Sequence, residues 1–211
     1  MSIRFYEVSE DYIDYLSNFD EHFFHNSQDN QRHSRKYIGV VFSIENTKYF
    51  APLSSFKEKH KTMKSSVDFL KVGNYAVINL NNMFPVPDGL YSSVDFHKEK
   101  DIQYRRLMMN EYRIIKKMQD KILKNARIVY NHKLNEGNTT SLGKRCNDFT
   151  RLESACARYG YDSFVAQRLM ESDAIVKESK MEYYSEEITI KLEELLNQQN
   201  QYYYNSEVTP C

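Results

Sequence analysis

The stretch "YIGVVFSIENTKYFAPLSS", Tyr37 to Ser55, decides the fold class. Its first eight residues form a run of β-branched and aromatic side chains, and a second such run, Thr47 to Leu53, follows the pair Glu45-Asn46. Two apolar runs separated by a short polar link are typical of an antiparallel hairpin. Further strands are predicted at Ile3–Val8, at Tyr75–Leu80 and from Asn82 to the turn Pro87-Asp88-Gly89.

The second half of the chain has the spacing of helices. Between Tyr104 and Ala126 apolar residues recur every three or four positions, which predicts one long central helix of about six turns with a basic outer face. Further helices are predicted at Ser9–Phe19, Asn147–Gly160, Ser163–Ser172 and Ser185–Gln199. We therefore expect an α+β fold in which helices pack on a small, mostly antiparallel sheet or barrel.

Length and composition limit the domain organisation. The 211 residues suffice for one domain with a substantial core, and no apolar stretch approaches the roughly 20 residues that a membrane-spanning helix needs. The first residues lack a signal-peptide core, so we expect a cytoplasmic protein without a membrane partner. We place the main domain at residues 1–170, an additional acidic helical segment at 171–198 and a flexible tail rich in Gln, Asn and Tyr at 199–211.

The sequence carries no motif for a metal or an organic cofactor. Three cysteines without paired spacing argue against a disulfide framework, and zinc-ligand spacing is absent. His22 and His25 lie three residues apart, but no second ligand pair accompanies them. The chain also lacks a GxGxxG, P-loop or GxSxG motif. We therefore expect a protein that works without a cofactor.

The net charge of zero conceals two basic segments. From Gln31 to Lys64 there are eight Lys or Arg residues against two Glu, and from Lys98 to Arg127 there are ten against four acidic residues. The sign reverses from Glu171 onward, where nine acidic residues accompany three lysines. Two basic segments in one fold predict a surface for a polyanion. Solvated faces that balance one another are the alternative interpretation.

Hydroxyls and cations follow one another where the second strand of the hairpin ends. Ser54, Ser55 and Lys57 precede His60, and Arg35 comes just before the hairpin. Metal-free cleavage of RNA needs a group that takes the proton of the ribose 2′-OH, groups that stabilise charge on the phosphorane oxygens, and a group that protonates the departing 5′-oxygen. Hydroxyl, ammonium, guanidinium and imidazole groups can meet these needs. A solvated turn or a helix cap is the alternative interpretation.

Five stretches occur along the chain in this order: "FYEVSEDYIDYLSNFD", "YIGVVFSI", "KYFAPLSSFKEKH", "VINLNNMFPV" and "YRRLMMNEYRIIKK". Together they resemble the ToxN/AbiQ family of endoribonuclease toxins from type III toxin–antitoxin and phage abortive-infection systems. The most specific part is a strand, "APL", two hydroxyl residues and a nearby lysine. The resemblance implies a barrel-like sheet core similar to that of other bacterial mRNA-interferase toxins. It also implies metal-independent RNA cleavage that leaves a 2′,3′-cyclic phosphate and a 5′-hydroxyl.

The resemblance further implies RNA partners and a set of catalytic residues. The partners are an mRNA substrate and a small repetitive RNA antitoxin, a pseudoknot that the toxin cuts from its precursor and that blocks the toxin, commonly in a closed protein–RNA ring. Carried over by position, the catalytic residues are Ser54, Ser55, Lys57, Arg35, Tyr12 and His60. Phe56 replaces a proline of the family pattern.

The two basic segments predict a groove that binds an RNA backbone. The expected contacts are Arg32, Lys36, Lys59, Lys61, Lys64, Arg105, Arg106, Tyr112 and Lys116. Tyr112 is included because an aromatic ring can stack on an unpaired base, although core packing is an equal alternative. Two rival interpretations of the whole chain are a non-catalytic module that captures structured RNA, and a structural domain whose acidic C-terminal region meets the basic groove of another copy.

Overall fold

The computed structural model describes residues 3–23, 36–44, 47–160, 162–163 and 170. Its strands are β1 Arg4–Val8, β2 Tyr37–Ile44, β3 Thr47–Ser55, β4 Phe69–Val72, β5 Ala76–Asn79, β6 Phe84–Val86 and β7 Tyr91–Ser93. Its helices are α1 Glu10–Ser17, α2 Ile102–Lys117, α3 Gln119–Glu136, α4 Ser141–Arg145 and α5, which comprises residues 149–160. The separation of strands from most of the helices along the chain confirms the predicted α+β class.

The strands pair antiparallel in the order β4-β5-β3-β2-β1-β7, and β6 also pairs with β3. Strands β2 and β3 form the predicted hairpin, with Tyr37 opposite Pro52 and Ile44 opposite Thr47. Gly39 of β2 lies opposite Phe50, and a Cβ atom at this glycine would come within 2.4 Å of the Phe50 ring. A glycine at this position therefore allows the aromatic ring to lie against the strand.

Strand β3 has two successive partners along its second edge. Residues Lys48–Phe50 pair with β6, and residues Leu53–Ser55 pair with β5. A short 3₁₀ turn, Leu80–Asn82, separates these two partners. In the described ranges, the outermost strands of the order, β4 and β7, do not pair with each other, so the sheet is open. The barrel-like closure that the resemblance implies is not confirmed.

Two clusters of buried side chains cover the two faces of the sheet. The first core cluster includes Leu53 of β3 and Ile78 of β5, which pack with Ile115 of α2 and with Ile122 and Val129 of α3. The second core cluster contains Tyr12, Ile13 and Leu16 of α1, Tyr37, Phe50 and Phe84 of the sheet, and Leu152 and Ala155 of α5. Burial of large side chains on both faces is the main stabilisation of the fold.

The predicted long central helix is wrong in one respect, because the chain breaks it at Met118. Helix α2 ends at Lys117 and α3 begins at Gln119, and Met118 between them has φ −95° and ψ 1°. The Met118 N–H donates to the carbonyls of both Ile114 and Ile115, at 3.1 and 3.0 Å. The Gln119 side chain accepts a hydrogen bond of 3.0 Å from the Ile3 N–H. The sequence has neither Gly nor Pro between Ile102 and Glu136, so neither residue type causes the break.

The chain divides into two compact units, Met1–Tyr159 and Gly160–Cys211. All the elements named above lie in the first unit, apart from the last residue of α5. The helix predicted at Ser163–Ser172 falls largely outside the described residues, and the acidic segment 171–198 and the tail 199–211 fall entirely outside them. Among the described helices, none combines the length and the apolar character that a membrane span requires.

Candidate active site

The β4-β5-β3 end of the sheet forms the floor of a cleft of about 430 Å³. Ser54 of β3 lies opposite Val77 of β5, and Asn79 of β5 lies opposite Phe69 of β4. Neighbours along a strand point to opposite faces, so Leu53 and its partner on β5 point into the first core cluster while Ser54 faces the cleft. Six predicted site residues line this cleft: Ser54, Ser55, Lys57, Lys59, His60 and Lys64.

The loop after β3 returns over the floor and is anchored by His60. Lys57 has an extended backbone and is followed by a 3₁₀ turn, Glu58–His60. The Nδ1 atom of His60 accepts a hydrogen bond of 3.0 Å from the Lys57 N–H. The imidazole packs edge-on between Phe56 and Phe69, with ring centroids 5.6 Å apart in both cases. His60 thus fixes the backbone of Lys57 while the Lys57 side chain stays exposed.

The environment of His60 keeps its imidazole neutral. The residue is 5% exposed. Burial, followed by repulsion from Lys59, Lys57 and Lys71, lowers the pKa of His60 below its ordinary value. Because Nδ1 accepts a hydrogen bond, the ring proton is assigned to Nε2. His60 can therefore donate one hydrogen bond from Nε2, but its Nδ1 atom is already occupied as an acceptor.

The two serines at the end of β3 differ in their surroundings. Ser54 is half-buried, and its hydroxyl oxygen accepts a long hydrogen bond of 3.4 Å from the Asn79 side-chain amide. Ser55 is the last residue of β3 and is exposed. Ser54 is therefore held on the rigid floor, whereas Ser55 lies on the rim next to the loop that carries Lys57.

Tyr12, which the resemblance carries over as a catalytic residue, is not among the residues that line the cleft. Its side chain is 0% exposed and belongs to the second core cluster. Its hydroxyl donates a hydrogen bond of 2.8 Å to the Pro85 carbonyl, and burial raises its pKa well above the ordinary value. These contacts favour packing over catalysis for Tyr12.

Other predicted contacts on the first basic segment have different surroundings. Lys36, a predicted RNA contact, is 9% exposed and forms an ion pair with Glu7. Lys61 is exposed, and its ammonium lies 2.9 Å from the Glu58 carboxylate on the outside of the loop. Arg32 and Arg35 lie outside the described residues.

The second basic segment lies away from the cleft. Helix α2 packs on the sheet face opposite to Ser54, because its Met108 and Ile115 belong to the same core cluster as Leu53. The predicted contacts on this helix, Arg105, Arg106, Tyr112 and Lys116, are not among the cleft residues. Tyr112 packs edge-on against Phe5 and Phe96, and the Lys116 ammonium lies 5.8 Å from the Tyr112 ring centroid. Among the described residues, the first basic segment contributes to the cleft lining and the second does not.

Five polar residues of the cleft lie outside the sequence prediction: Ser66, Asp68, Asn79, Asn81 and Arg145. Alternation along β5 gives a signal for Asn79, because Val77 and Asn79 share a face. Arg145 has no such signal, since it comes from α4 and reaches the cleft only through the tertiary fold. Among the residues that the structure describes, no group of three or more His, Cys, Asp or Glu side chains is arranged to hold a metal ion.

The cleft combines hydroxyls, exposed lysines and a neutral histidine at the end of a strand. This set of groups is typical of proteins that bind a phosphodiester backbone. Comparison with known proteins gives the family. Residues 4–157 match the family of the toxin ToxN of type III toxin–antitoxin systems, and the chain belongs to that family. The resemblance noted in the sequence is thereby confirmed.

Individual relatives agree with this membership. The chain is similar to endoribonuclease ToxN of Bacillus thuringiensis subsp. kurstaki, with 32% identity over 74% of this chain and 84% of the relative. It is 29% identical to endoribonuclease AbiQ of Lactococcus lactis subsp. lactis, over 77% of this chain and 92% of the relative.

Two solved structures share the fold. One comes from a study of a type III system whose toxin is selectively inhibited by a non-coding RNA pseudoknot; its TM-score is 0.66 at 29% identity, over 76% of this chain and 99% of the other. The other is AbiQ, a lactococcal anti-phage endoribonuclease of a type III system, with a TM-score of 0.64 at 27% identity over 76% and 99% of the two chains.

Proposed function

We propose that this protein is a metal-independent endoribonuclease toxin of a type III toxin–antitoxin system and that it acts in the cytoplasm. It cleaves RNA at preferred sequences and leaves a 2′,3′-cyclic phosphate and a 5′-hydroxyl. The observation that carries the proposal is the cleft in which Ser54, Ser55 and Lys57 lie together at the end of β3, in a chain of the ToxN family.

The proposed reaction is an internal transesterification of RNA. The ribose 2′-oxygen attacks the adjacent phosphorus and gives up its proton to a base. The bond from phosphorus to the 5′-oxygen breaks, and that oxygen takes a proton from an acid. The transition state has more negative charge on the non-bridging oxygens than the substrate, so fixed donors and cations aimed at these oxygens accelerate the reaction.

The cleft residues fit these needs as follows. The exposed ammonium of Lys57 binds the scissile phosphate and stabilises its added charge. Arg35, which lies outside the described residues, takes part in this role on the strength of the family resemblance alone. Asn79 donates to the Ser54 oxygen, which leaves the Ser54 hydroxyl hydrogen to donate to a phosphate oxygen. Ser55 on the rim relays a proton, and the neutral His60 donates from Nε2 while it holds the Lys57 backbone.

The proposed partners are an mRNA substrate and a small repetitive RNA antitoxin that folds as a pseudoknot. The support comes from relatives. One structural neighbour belongs to an antiviral system that a processed non-coding RNA regulates, and another is inhibited by an RNA pseudoknot. AbiQ is described as an anti-phage enzyme. In this proposal the toxin cuts the antitoxin from its precursor, is blocked by it in a closed protein–RNA ring, and contributes to phage abortive infection.

A cleavage assay in EDTA tests the proposed activity. Purified protein freed of RNA is incubated with a long mixed-sequence transcript, and the new ends are mapped and tested for cyclic phosphate. We expect discrete cuts by the wild type and a rate at least about 100-fold lower for Lys57→Ala, because a group that stabilises transition-state charge is removed. Lys144→Ala is the control, since Lys144 is an exposed cation that lines a different cavity and is not among the predicted contacts.

The outcomes separate the proposal from its alternatives. Cleavage that needs added Mg²⁺ contradicts the metal-independent mechanism. Intact RNA that nevertheless shifts on a gel contradicts catalysis and favours a non-catalytic module that captures structured RNA. Equal rates for Lys57→Ala and Lys144→Ala would show that the active site is not in this cleft.

A further inference from the structure

We propose that Arg145 binds a backbone phosphate of the RNA strand in the cleft and that the buried carboxylate of Asp68 is a positioning residue for its guanidinium. The inference rests on the proposed function, because the ligand is the RNA that the cleft holds. It adds a cation from α4, a part of the chain far in sequence from the hydroxyl pair.

The contacts of Arg145 fix its guanidinium on the cleft wall. Its Nε donates to Asp68 Oδ2 at 2.6 Å, and its Nη2 donates to Asp68 Oδ1 at 3.1 Å. Its Nη1 donates to the Ser141 carbonyl at 3.0 Å. These bonds use three of the five N–H donors of the group and leave two for a ligand. A cation held by a two-point ion pair loses little conformational entropy when it binds phosphate.

The exposure of the two partners is unequal. The Arg145 side chain is 49% exposed, whereas the Asp68 side chain is 3% exposed. The carboxylate therefore lies behind the guanidinium, and a ligand that enters the cleft meets the cation first. Although the pair has no net charge, its positive end faces the cleft.

The Asp68 carboxylate is built to stay ionised behind the cation. Burial alone raises the pKa of Asp68, but hydrogen bonds from Arg145 and from the Ser66 hydroxyl, the latter at 2.7 Å, outweigh burial and hold the pKa below its ordinary value. The Leu80 N–H also ties the Asp68 backbone carbonyl to the floor at 2.8 Å. Asp68 is thus a fixed anchor rather than a group that rearranges.

Three consecutive residues of the floor connect Arg145 to the hydroxyl pair. Asn79 donates to the Ser54 hydroxyl at 3.4 Å, and the Asn81 side chain donates to the Arg145 carbonyl at 2.9 Å. Leu80 between them bonds to Asp68, as described above. Because Ser54 and Arg145 line the same cleft, we expect an RNA strand with its scissile phosphate at Ser54 to bring a neighbouring phosphate to the Arg145 guanidinium.

The rival explanation is that the ion pair only attaches α4 to the start of β4. Removing Arg145 alone leaves a buried carboxylate unpaired, which destabilises the fold under either explanation. Changing both partners removes that penalty. A double variant, Arg145→Gln with Asp68→Asn, therefore separates stability from RNA binding.

The experiment compares RNA affinity and thermal unfolding for wild type, Arg145→Gln, Asp68→Asn, the double variant and Lys144→Gln. The probe is a mixed-sequence single strand made with 2′-O-methyl ribose, which lacks the attacking hydroxyl and stays intact. Lys144→Gln is the matched control, because Lys144 is an exposed cation of the same helix that lines a different cavity, together with Lys133 and Arg151. Affinities are measured over a range of salt concentrations.

We expect Arg145→Gln to weaken binding about tenfold and to make the slope of log Kd against log salt shallower by about 0.7, the value for one phosphate contact on a single strand. The double variant regains melting temperature but keeps the weak binding and the shallow slope. Asp68→Asn, with a free but unanchored Arg145, gives an intermediate affinity. Lys144→Gln stays within about twofold of the wild type.

A double variant that regains both stability and wild-type affinity overturns the inference, because the pair then has only a structural role. Equal losses for Arg145→Gln and Lys144→Gln also overturn it, since any surface cation then has the same effect. A wild-type protein that neither binds nor cleaves RNA defeats the proposed function itself. Normal cleavage by the wild type with normal binding by the double variant defeats only the role of Arg145.

Discussion

The two basic segments of the chain have similar charge in the sequence and different places in the fold. Lys57, Lys59 and Lys64 of the first segment line the cleft beside the hydroxyl pair. Arg105, Arg106 and Lys116 of the second lie on α2, which packs on the opposite face of the sheet. The difference teaches that a count of cations finds a candidate for RNA binding but does not locate the site.

Local structure explains why only the first segment lines the cleft. The loop after β3 is held by His60, and Lys57, Lys59 and Lys64 around it line the cleft. On α2 the apolar stripe is buried, and its predicted RNA contacts do not line the cleft. A concave surface with low-dielectric walls concentrates the electrostatic field of its lysines. The charges on an exposed helix face are screened by salt.

The largest expected effect comes from neutralising the two sets of cations in separate triple variants. Gln at Lys57, Lys59 and Lys64 removes three cleft cations, and we expect RNA affinity to fall about 100-fold, or about 2.7 kcal/mol. The salt slope becomes shallower by about 2. Gln at Arg105, Arg106 and Lys116 changes affinity by less than about threefold. Titration of the 2′-O-methyl RNA at several salt concentrations measures both quantities.

An equal loss of RNA affinity in the two triple variants would contradict the expected difference between the two basic segments. It would restore the sequence-based expectation that both segments contact RNA, with α2 as a second contact surface on the other side of the molecule. The melting temperatures of the two variants serve as the control for folding, because all six side chains lie at or near the surface.

The same contrast shows which features of the fold and of the cleft can be predicted from the sequence. The β2–β3 hairpin and the group Ser54, Ser55, Lys57 and His60 are predictable, because these residues are neighbours along the chain and the strand ends among them. Arg145 is not, since only the packing of α4 brings it to Asp68. The break at Met118 is not predictable either, because the Gln119–Ile3 bond that accompanies it is long-range.

The second-largest expected effect is a change in stability when a buried carboxyl group on α2 is replaced. Glu111 is 6% exposed, and burial raises its pKa from 4.5 to about 7. Between pH 4.5 and 7 the folded state therefore binds more protons than the unfolded state. Protonation of Glu111 stabilises the folded state, and this stabilisation is lost as pH rises through 7. We expect Glu111→Gln to raise the free energy of unfolding by about 2 kcal/mol at pH 8 and to change it little at pH 4.5.

Urea denaturation of both proteins at pH 4.5, 6 and 8 measures this difference. Parallel pH profiles for wild type and Glu111→Gln would contradict the assignment. In the cleft, His60 changes stability with pH in the opposite direction, because its pKa is lowered from 6.5. The unfolded state binds the extra proton, so the free energy of unfolding falls as pH falls below 6.5. Buried groups in the two regions thus respond to pH in opposite directions.

The smallest effect is expected at Tyr12, where the resemblance and the structure give different roles. Tyr12→Phe removes a hydroxyl that donates to the Pro85 carbonyl in the second core cluster, and we expect a loss of about 1 kcal/mol in the free energy of unfolding. Because the hydroxyl does not reach the cleft, the cleavage rate stays within about twofold of the wild type. Urea denaturation and the EDTA cleavage assay on the same preparation measure both. A cleavage rate more than about tenfold below that of the wild type, with an unchanged midpoint of urea denaturation, would indicate that Tyr12 is catalytic. It would also mean that bound RNA reaches beyond the cleft to the second core cluster.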